Sequence, residues 1–296
     1  MLGERSRHPR RAGAQPSLRP DFGPHDLVQE QILKGPLGPR PCGAIESVPM
    51  APGRQPPNQL RGRRVLLRPL VTADFGAWRE VRQRNVEWLA RWEPAIPPGQ
   101  PDDTQSRQAF AARCGARERE WQMGVGYGFG LFVATSGGVA GRTARLAGEI
   151  NLSGVQRGPF QNAYVGYWID ETDAGQGLMP ESVVVLARFA FEDLGLHRLQ
   201  VAIIPRNQAS RRVVEKLELR QEGLAERYLA INGVWEDHLR YALTAEEWMR
   251  RGSDLVDCFA RPNGDSSPAK PWAGIAPART PASTRVFGPL RGTRSG

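Results

Sequence analysis

The segment Tyr167-Trp168-Ile169-Asp170-Glu171-Thr172-Asp173-Ala174-Gly175-Gln176-Gly177-Leu178-Met179-Pro180 decides how this 296-residue chain is read. It passes from an aromatic and β-branched run into a glycine-containing turn. It then enters an apolar helical face, Val183, Val184, Ala187, Phe191 and Leu194, that ends at Gly195. Pro180 stands where the first helical position is expected, since proline needs no N–H there. Glycine lets backbone N–H groups come close to an anion, and a helix N-terminus adds partial positive charge. The arrangement suits a pyrophosphate and equally an ordinary strand-to-helix turn; Gly-x-Gly alone does not separate the two. A Walker loop would end in Gly-Lys-Ser/Thr and a Rossmann fingerprint would need a third glycine. Gly177 is followed instead by Leu178-Met179-Pro180, which excludes both.

Working outward, the period-two runs Phe129–Ala134, Ala147–Leu152 and Ala163–Ile169 predict an antiparallel meander, because their connections leave no room for a crossover helix. Ser136-Gly137-Gly138 supplies turn chemistry between the first two. Val65–Leu70 reads as a first strand, and Thr72 as the N-cap of a helix over Ala73–Arg84 with a second piece over Val86–Arg91. After the break Pro94–Pro101, Asp102-Asp103-Thr104 restarts a helix carrying Phe110, Cys114 and Trp121. Downstream, His197–Ile204 is a strand stopped by Pro205, and Asn207–Leu217 a short helix. Tyr228–Ile231 and Trp235–Leu243 form a hairpin around Asn232-Gly233. This alternation describes one α/β domain over residues 61–250.

The ends differ from this middle. Of 25 prolines, 11 precede residue 61 and 6 follow residue 252. Such segments bury too little apolar surface to offset their conformational entropy, so residues 1–60 and 251–296 read as disordered tails. Residues 1–60 and 253–296 each carry an excess of three basic residues, so only +3 of the total +9 belongs to the middle. The high charge is therefore a tail property, a solvated arginine-rich segment with a possible weak contact to ribosomal RNA. Three cysteines, Cys42, Cys114 and Cys258, with no Cys-x-x-Cys pair argue against a disulfide framework and a metal site. Arg5, Arg7, Arg10 and Arg11 are followed by no apolar segment, so no secretory signal is read, and no stretch approaches a membrane span. A cytoplasmic protein is expected.

Taken together, Gly166-Tyr167-Trp168-Ile169, Gly175 to Met179, Phe189-Ala190-Phe191 with Leu194 to Arg198, Asn207 with Ser210, and Gly233 to His238 resemble the GNAT acetyltransferases. Within them they resemble the RimJ/RimL group of ribosomal-protein N-terminal acetyltransferases, over roughly Gly62 to Trp248. Val155 to Phe160 adds RimJ-like character. The resemblance implies the GNAT (acyl-CoA N-acyltransferase) fold, a mixed, mostly antiparallel sheet with splayed central strands flanked by helices. It implies acetyl-CoA as cosubstrate, no metal, and a protein N-terminus as acceptor, an alanine-starting ribosomal protein foremost. The family turn pattern R/Q-x-x-G-x-G/A falls on Ala174 to Met179. Ala174 replaces the Arg/Gln and Met179 the final small residue; the turn acts through main-chain donors, so neither departure is read as inactivating.

By the same resemblance, the cofactor-binding set is Trp168, Ile169, Ala174, Gly175, Gly177, Leu178, Met179, Asn207 and Ser210. The amine would attack the thioester carbonyl directly, an N–H near Ile169 would polarise the oxyanion, and Ser210 would protonate the leaving thiolate. Asn207 equally reads as a helix cap. Glu149, on the neighbouring strand, is a candidate general base or an exposed strand carboxylate. Tyr228 is a second candidate or an aromatic wall. Asp237-His238 reads as a satisfied buried pair, and Trp88 and Trp92 as core or as one wall of the acceptor channel. Two other functions remain open: acetylation of a polyamine or aminoglycoside, which an acidic cleft would favour, and a ribosome-associated binding factor with a vestigial CoA site. The sequence leaves the oligomeric state open.

Overall fold

The computed structural model describes residues 56–94, 104–134 and 144–261, all within one compact unit, residues 48–296. Readings placed on residues 1–55, 95–103, 135–143 and 262–296, including most of both tails and the Ser136-Gly137-Gly138 turn, lie outside the described residues.

Eight strands form one sheet: β1 (Leu60–Arg61), β2 (Val65–Arg68), β3 (Tyr127–Ala134), β4 (Ala144–Gln156), β5 (Asn162–Ile169), β6 (Arg198–Ile203), β7 (Arg220–Ile231) and β8 (Val234–Thr244). Their spatial order is β1-β2-β3-β4-β5-β6-β8-β7. Every neighbouring pair is antiparallel except β5 and β6. The expected meander is thus β3-β4-β5. The helices are α1 (Phe75–Arg84), α2 (Val86–Ala90), α3 (Arg107–Met123), α4 (Leu178–Arg188), α5 (Gln208–Lys216) and α6 (Ala245–Leu255).

Because side chains alternate across a strand, the sheet buries two different faces. Phe129, Ile150, Val165 and Val201 meet α4 in the main core. Trp78 and Phe110, from α1 and α3, cover Phe132 and Leu146 on the other face. There Trp78 packs 4.8 Å from the Phe110 ring.

Several element ends differ from the sequence reading for local reasons. Helix α4 opens at Leu178, because Gly177 takes the left-handed N-cap conformation at φ 79°. Pro180 is then its third residue, still among the positions whose N–H would lack a partner. Thr72 does not cap α1: Thr72–Asp74 form a 3-10 turn, and the Asp74 carboxylate accepts the Val71 N–H at 2.9 Å. Ser106 rather than residues 102–104 caps α3, accepting the Ala109 N–H at 3.3 Å. Strand β7 begins eight residues earlier than Tyr228, at Arg220. Its alternation was hidden by Gly223 and Arg227, both at positive φ, and by an irregular register between Ala225 and Leu229.

The largest difference is at the C-terminal end. Helix α6 crosses residue 250, where the sequence put the domain's limit, and continues as a wider turn over Val256–Ala260. Trp248, Val256 and Ala260 belong to the main core, with the Trp248 indole stacked 5.6 Å from the Phe191 ring. Val256 and Ala260, set among charged residues beyond residue 250, were read as tail, and packing makes them part of the domain.

Candidate active site

The deciding segment leaves β5 and bends through a 3-10 turn at Glu171–Asp173 into α4. Gly175 and Gly177 both hold positive φ, 78° and 79°, and a Cβ on Gly175 would meet nothing within 4 Å. The turn is therefore open on its outer side. The N–H groups of Leu178 and Met179 begin the helix and have no carbonyl one turn back to receive them. Their side chains are buried. Methionine in place of a small residue therefore fills the core, and its amide stays in the first turn of α4. Ala174 offers only main-chain groups, and its N–H donates to the Glu171 carbonyl at 3.1 Å.

Three ion pairs hold this turn from outside. Arg84 of α1 binds the buried Asp170 carboxylate, which also accepts from the Asn85 amide at 3.0 Å and the Thr172 N–H at 3.3 Å. Burial would raise the Asp170 pKa, but these donors outweigh it and hold the carboxyl below its ordinary value. Arg145 of β4 clasps Asp173 with two hydrogen bonds. Arg64, just before β2, reaches Glu181 in the first turn of α4.

Beside the turn, the two central strands separate. β5 and β6 pair only at Asn162–Arg198, Ala163–Leu199 and Tyr164–Gln200; beyond Tyr164, β5 has no β6 partner. The Asp170 N–H bonds the Ala147 carbonyl at 2.7 Å, and alternation along the strand turns the N–H groups of Tyr167 and Ile169 toward the gap. Across it, the Tyr167 hydroxyl donates to the Ser210 carbonyl at 3.3 Å. Burial raises the Tyr167 pKa, only partly countered by that bond, so this phenol stays protonated. Asn207 caps α5, its Oδ1 accepting the Ser210 N–H at 3.1 Å. The cap reading of Asn207 is thus realised.

The other sheet face carries the remaining candidates. Glu149 pairs in register with Trp168 and lines a cleft of about 2170 Å³. Its carboxylate accepts from Trp78 Nε1 at 2.7 Å, Trp168 Nε1 at 3.3 Å and Arg113 Nη2 at 2.6 Å. Tyr228 stacks edge-on against His238 at 5.6 Å and lies under the Arg240 guanidinium at 5.0 Å. Burial raises its pKa, with Arg240 opposing and Tyr164 reinforcing the shift, so it too stays a protonated phenol. Asp237 and His238 are not a pair. As neighbours on β8 they point to opposite faces: Asp237 accepts the Arg227 N–H at 2.7 Å, while His238 Nδ1 lies 2.9 Å from the Glu236 carbonyl. Trp88 donates to the Ile169 carbonyl at 3.2 Å, and Trp92 lies 5.0 Å from the Arg206 guanidinium. Both indoles are half-buried.

The turn and the gap between the two parallel strands lie at one end of β5, and the cleft touches the same strand at Gly166, Tyr167 and Trp168. Residues 64–220 match the acetyltransferase (GNAT) domain family. This chain belongs to the GNAT family. It is 31% identical over 179 residues to "Probable N-acetyltransferase YjcK" of Bacillus subtilis, covering 60% of this chain and 93% of that protein. It is 30% identical over 177 residues to the "[Ribosomal protein uS5]-alanine N-acetyltransferase" of Escherichia coli, covering 59% and 86%. Among solved structures it resembles Mycobacterium smegmatis RimJ in complex with CoA-disulfide, with a TM-score of 0.60 and 27% identity over 69% of this chain and 95% of that one. The chain is an acetyltransferase with the GNAT fold.

In this GNAT domain, sequence reasoning missed Arg64, Arg84, Arg145, Trp78 and Arg113. Arginines scattered through strand and helix ends give no local signal of the carboxylates they find across the fold. Tyr167 has no signal in the sequence beyond its place in the motif, though it ties β5 to α5. The cleft lining includes Arg82, Arg113, Arg117 and Arg157 against Glu93, Glu118 and Glu149. Arg82 grips Glu93 through two bonds of 2.7 Å. Among the described residues no cluster of His, Cys, Asp and Glu is arranged to hold a metal, and no helix is long and apolar enough to cross a membrane.

Proposed function

We propose that this enzyme transfers acetyl from acetyl-CoA to the N-terminal α-amine of a protein, with an alanine-starting ribosomal protein as the acceptor. The observation that carries the choice of acceptor is the charge of the cleft: four arginines meet three glutamates, two of which are already paired. A polyamine or aminoglycoside needs a field of unpaired carboxylates, and this lining does not supply one. The cleft volume also exceeds the roughly 300–1,000 Å³ of a small-ligand pocket, in keeping with a polypeptide end beside a pantetheine arm. The Escherichia coli relative's name points to the same acceptor.

Acetyl-CoA supplies the activated acetyl thioester. The Leu178 and Met179 amides and the open face of Gly175 would hold its pyrophosphate, with Gly177 and Ala174 contributing backbone only. The free edge of β5 at Tyr167 and Ile169, on either side of Trp168, and the Asn207 amide nitrogen would hold pantetheine. The Ile169 N–H would polarise the acetyl carbonyl, and the Ser210 hydroxyl would give its proton to the departing sulfur. Glu149, with three donors on its two oxygens, would act as a strut in the cleft wall. Tyr228 would act as a protonated wall residue. An α-amine has an unperturbed pKa near ~8, so about a tenth is already neutral near pH 7 and solvent can take the proton from the rest. We place the reaction in the cytoplasm, with tail contact to ribosomal RNA as an accessory interaction.

The test is incubation with labelled acetyl-CoA, peptides differing in their first residue, and spermidine. Label on the α-amine of alanine-starting peptides is expected. Label on spermidine alone overturns the acceptor assignment, and the absence of acetyl-CoA binding overturns the enzymatic reading in favour of a binding factor.

A further inference from the structure

Arg64 is held in place by its backbone N–H, Nε and Nη1, which leaves Nη2. Its backbone N–H donates to Glu181 Oε1 at 2.5 Å and its Nε to Oε2 at 3.0 Å, while the Val65 N–H also takes Oε1 at 3.1 Å. Nη1 donates to the Gln176 carbonyl at 2.9 Å. Nη2 lies 3.3 Å from the point where a Cβ on Gly177 would stand. The guanidinium is thus laid along Gln176-Gly177, over the N-terminus of α4, with its side chain 46% exposed.

A cation at this end of a helix opposes the helix dipole. Glu181 offsets that from the buried side; nothing described offsets it on the solvent side, where the Leu178 and Met179 amides also begin. An anion seated between Nη2 and those amides would satisfy both. We propose that Arg64 is a direct ligand of the CoA pyrophosphate, supplying from the edge of β2 the charged side chain that Ala174 does not provide. This rests on the reading that the turn holds the CoA phosphates. Nε and Nη1 fix the plane of the guanidinium, and Nη2 keeps its donors for the ligand.

The test is calorimetric binding of CoA, dephospho-CoA and pantetheine to wild type, R64A and R64Q. For both phosphate-bearing ligands R64A is expected to weaken binding roughly ten- to a hundredfold, with pantetheine changed by less than about twofold. An equal loss for pantetheine, or no loss for CoA, overturns the proposal and leaves Arg64 a brace for Glu181. A loss for CoA that dephospho-CoA escapes assigns Arg64 to the 3′-phosphate and overturns the pyrophosphate contact. R64Q can still hydrogen-bond Glu181 and carries the comparison if R64A does not fold. In wild type, dephospho-CoA should block phenylglyoxal modification of Arg64, read by mass spectrometry, and pantetheine should not; equal blocking overturns the contact. Wild type that binds neither CoA nor dephospho-CoA would sink the CoA reading itself, an outcome distinct from a failure of Arg64 alone.

Discussion

Replacing Glu149 by glutamine asks whether this carboxylate is a base or a strut. Its Oε1 takes both indole N–H groups and its Oε2 takes Arg113. Glutamine keeps one acceptor oxygen, so either the tryptophans or Arg113 must face an amide NH2. With the oxygen kept on the Trp78 side, the charge-assisted bond from Arg113 is lost, worth about 1.5–3 kcal/mol. Both partners are mostly covered, with side chains 24% and 15% exposed, so water recovers only part of this. We expect a loss of about 2 kcal/mol, a fall in Tm of roughly 4–8 °C for a domain of this size. Thermal melts followed by circular dichroism measure that, and kcat/KM against pH with an alanine-starting peptide measures the chemistry. A strut predicts a lowered Tm, activity reduced less than about tenfold and an unchanged acidic limb. An unchanged Tm with activity down more than about a hundredfold and the acidic limb lost would refute the reasoning and restore Glu149 as the base.

Two further outcomes follow from the geometry. Gly148→Ala would place a Cβ 2.2 Å from the Trp168 carbonyl oxygen and 2.9 Å from the Ile169 Cα; since backbone cannot yield cheaply, the variant should lose at least about 2 kcal/mol and bind CoA more weakly, by melts and calorimetry. Asp170 has a folded pKa below its unfolded value, so its contribution is present above about pH 4 and is lost as pH falls through the folded pKa; Asp170→Asn should be less stable at pH 7 by urea titration, with the difference from wild type shrinking only below about pH 4.

How much of this was legible depended on whether the signal was local. The strand before the turn, Gly175 and Gly177, the apolar face of α4 and the cap at Asn207 are all set by near neighbours, and the chain read them within a few residues. Pairings across the fold were not readable. Nothing around Arg64, Arg84 or Arg145 announces Glu181, Asp170 or Asp173, and nothing around Glu149 announces Trp78 on α1. Asp237-His238 shows the converse error, in which adjacency in sequence suggested a pair that the strand's alternation separates. The helix across residue 250 was lost because Trp248, Val256 and Ala260 are spaced too widely to stand out before the sheet is there to receive them.

The three arginine–carboxylate ties around the turn come from three separate elements, α1, β4 and the start of β2, and none uses the glycines themselves. The turn is therefore shaped before any ligand arrives, and little conformational freedom remains to be lost on binding. A ligand would meet a finished seat, so its association should follow a single kinetic phase without a preceding rearrangement. The same scaffolding lets a chain carry alanine at 174 and methionine at 179 while the turn keeps its form.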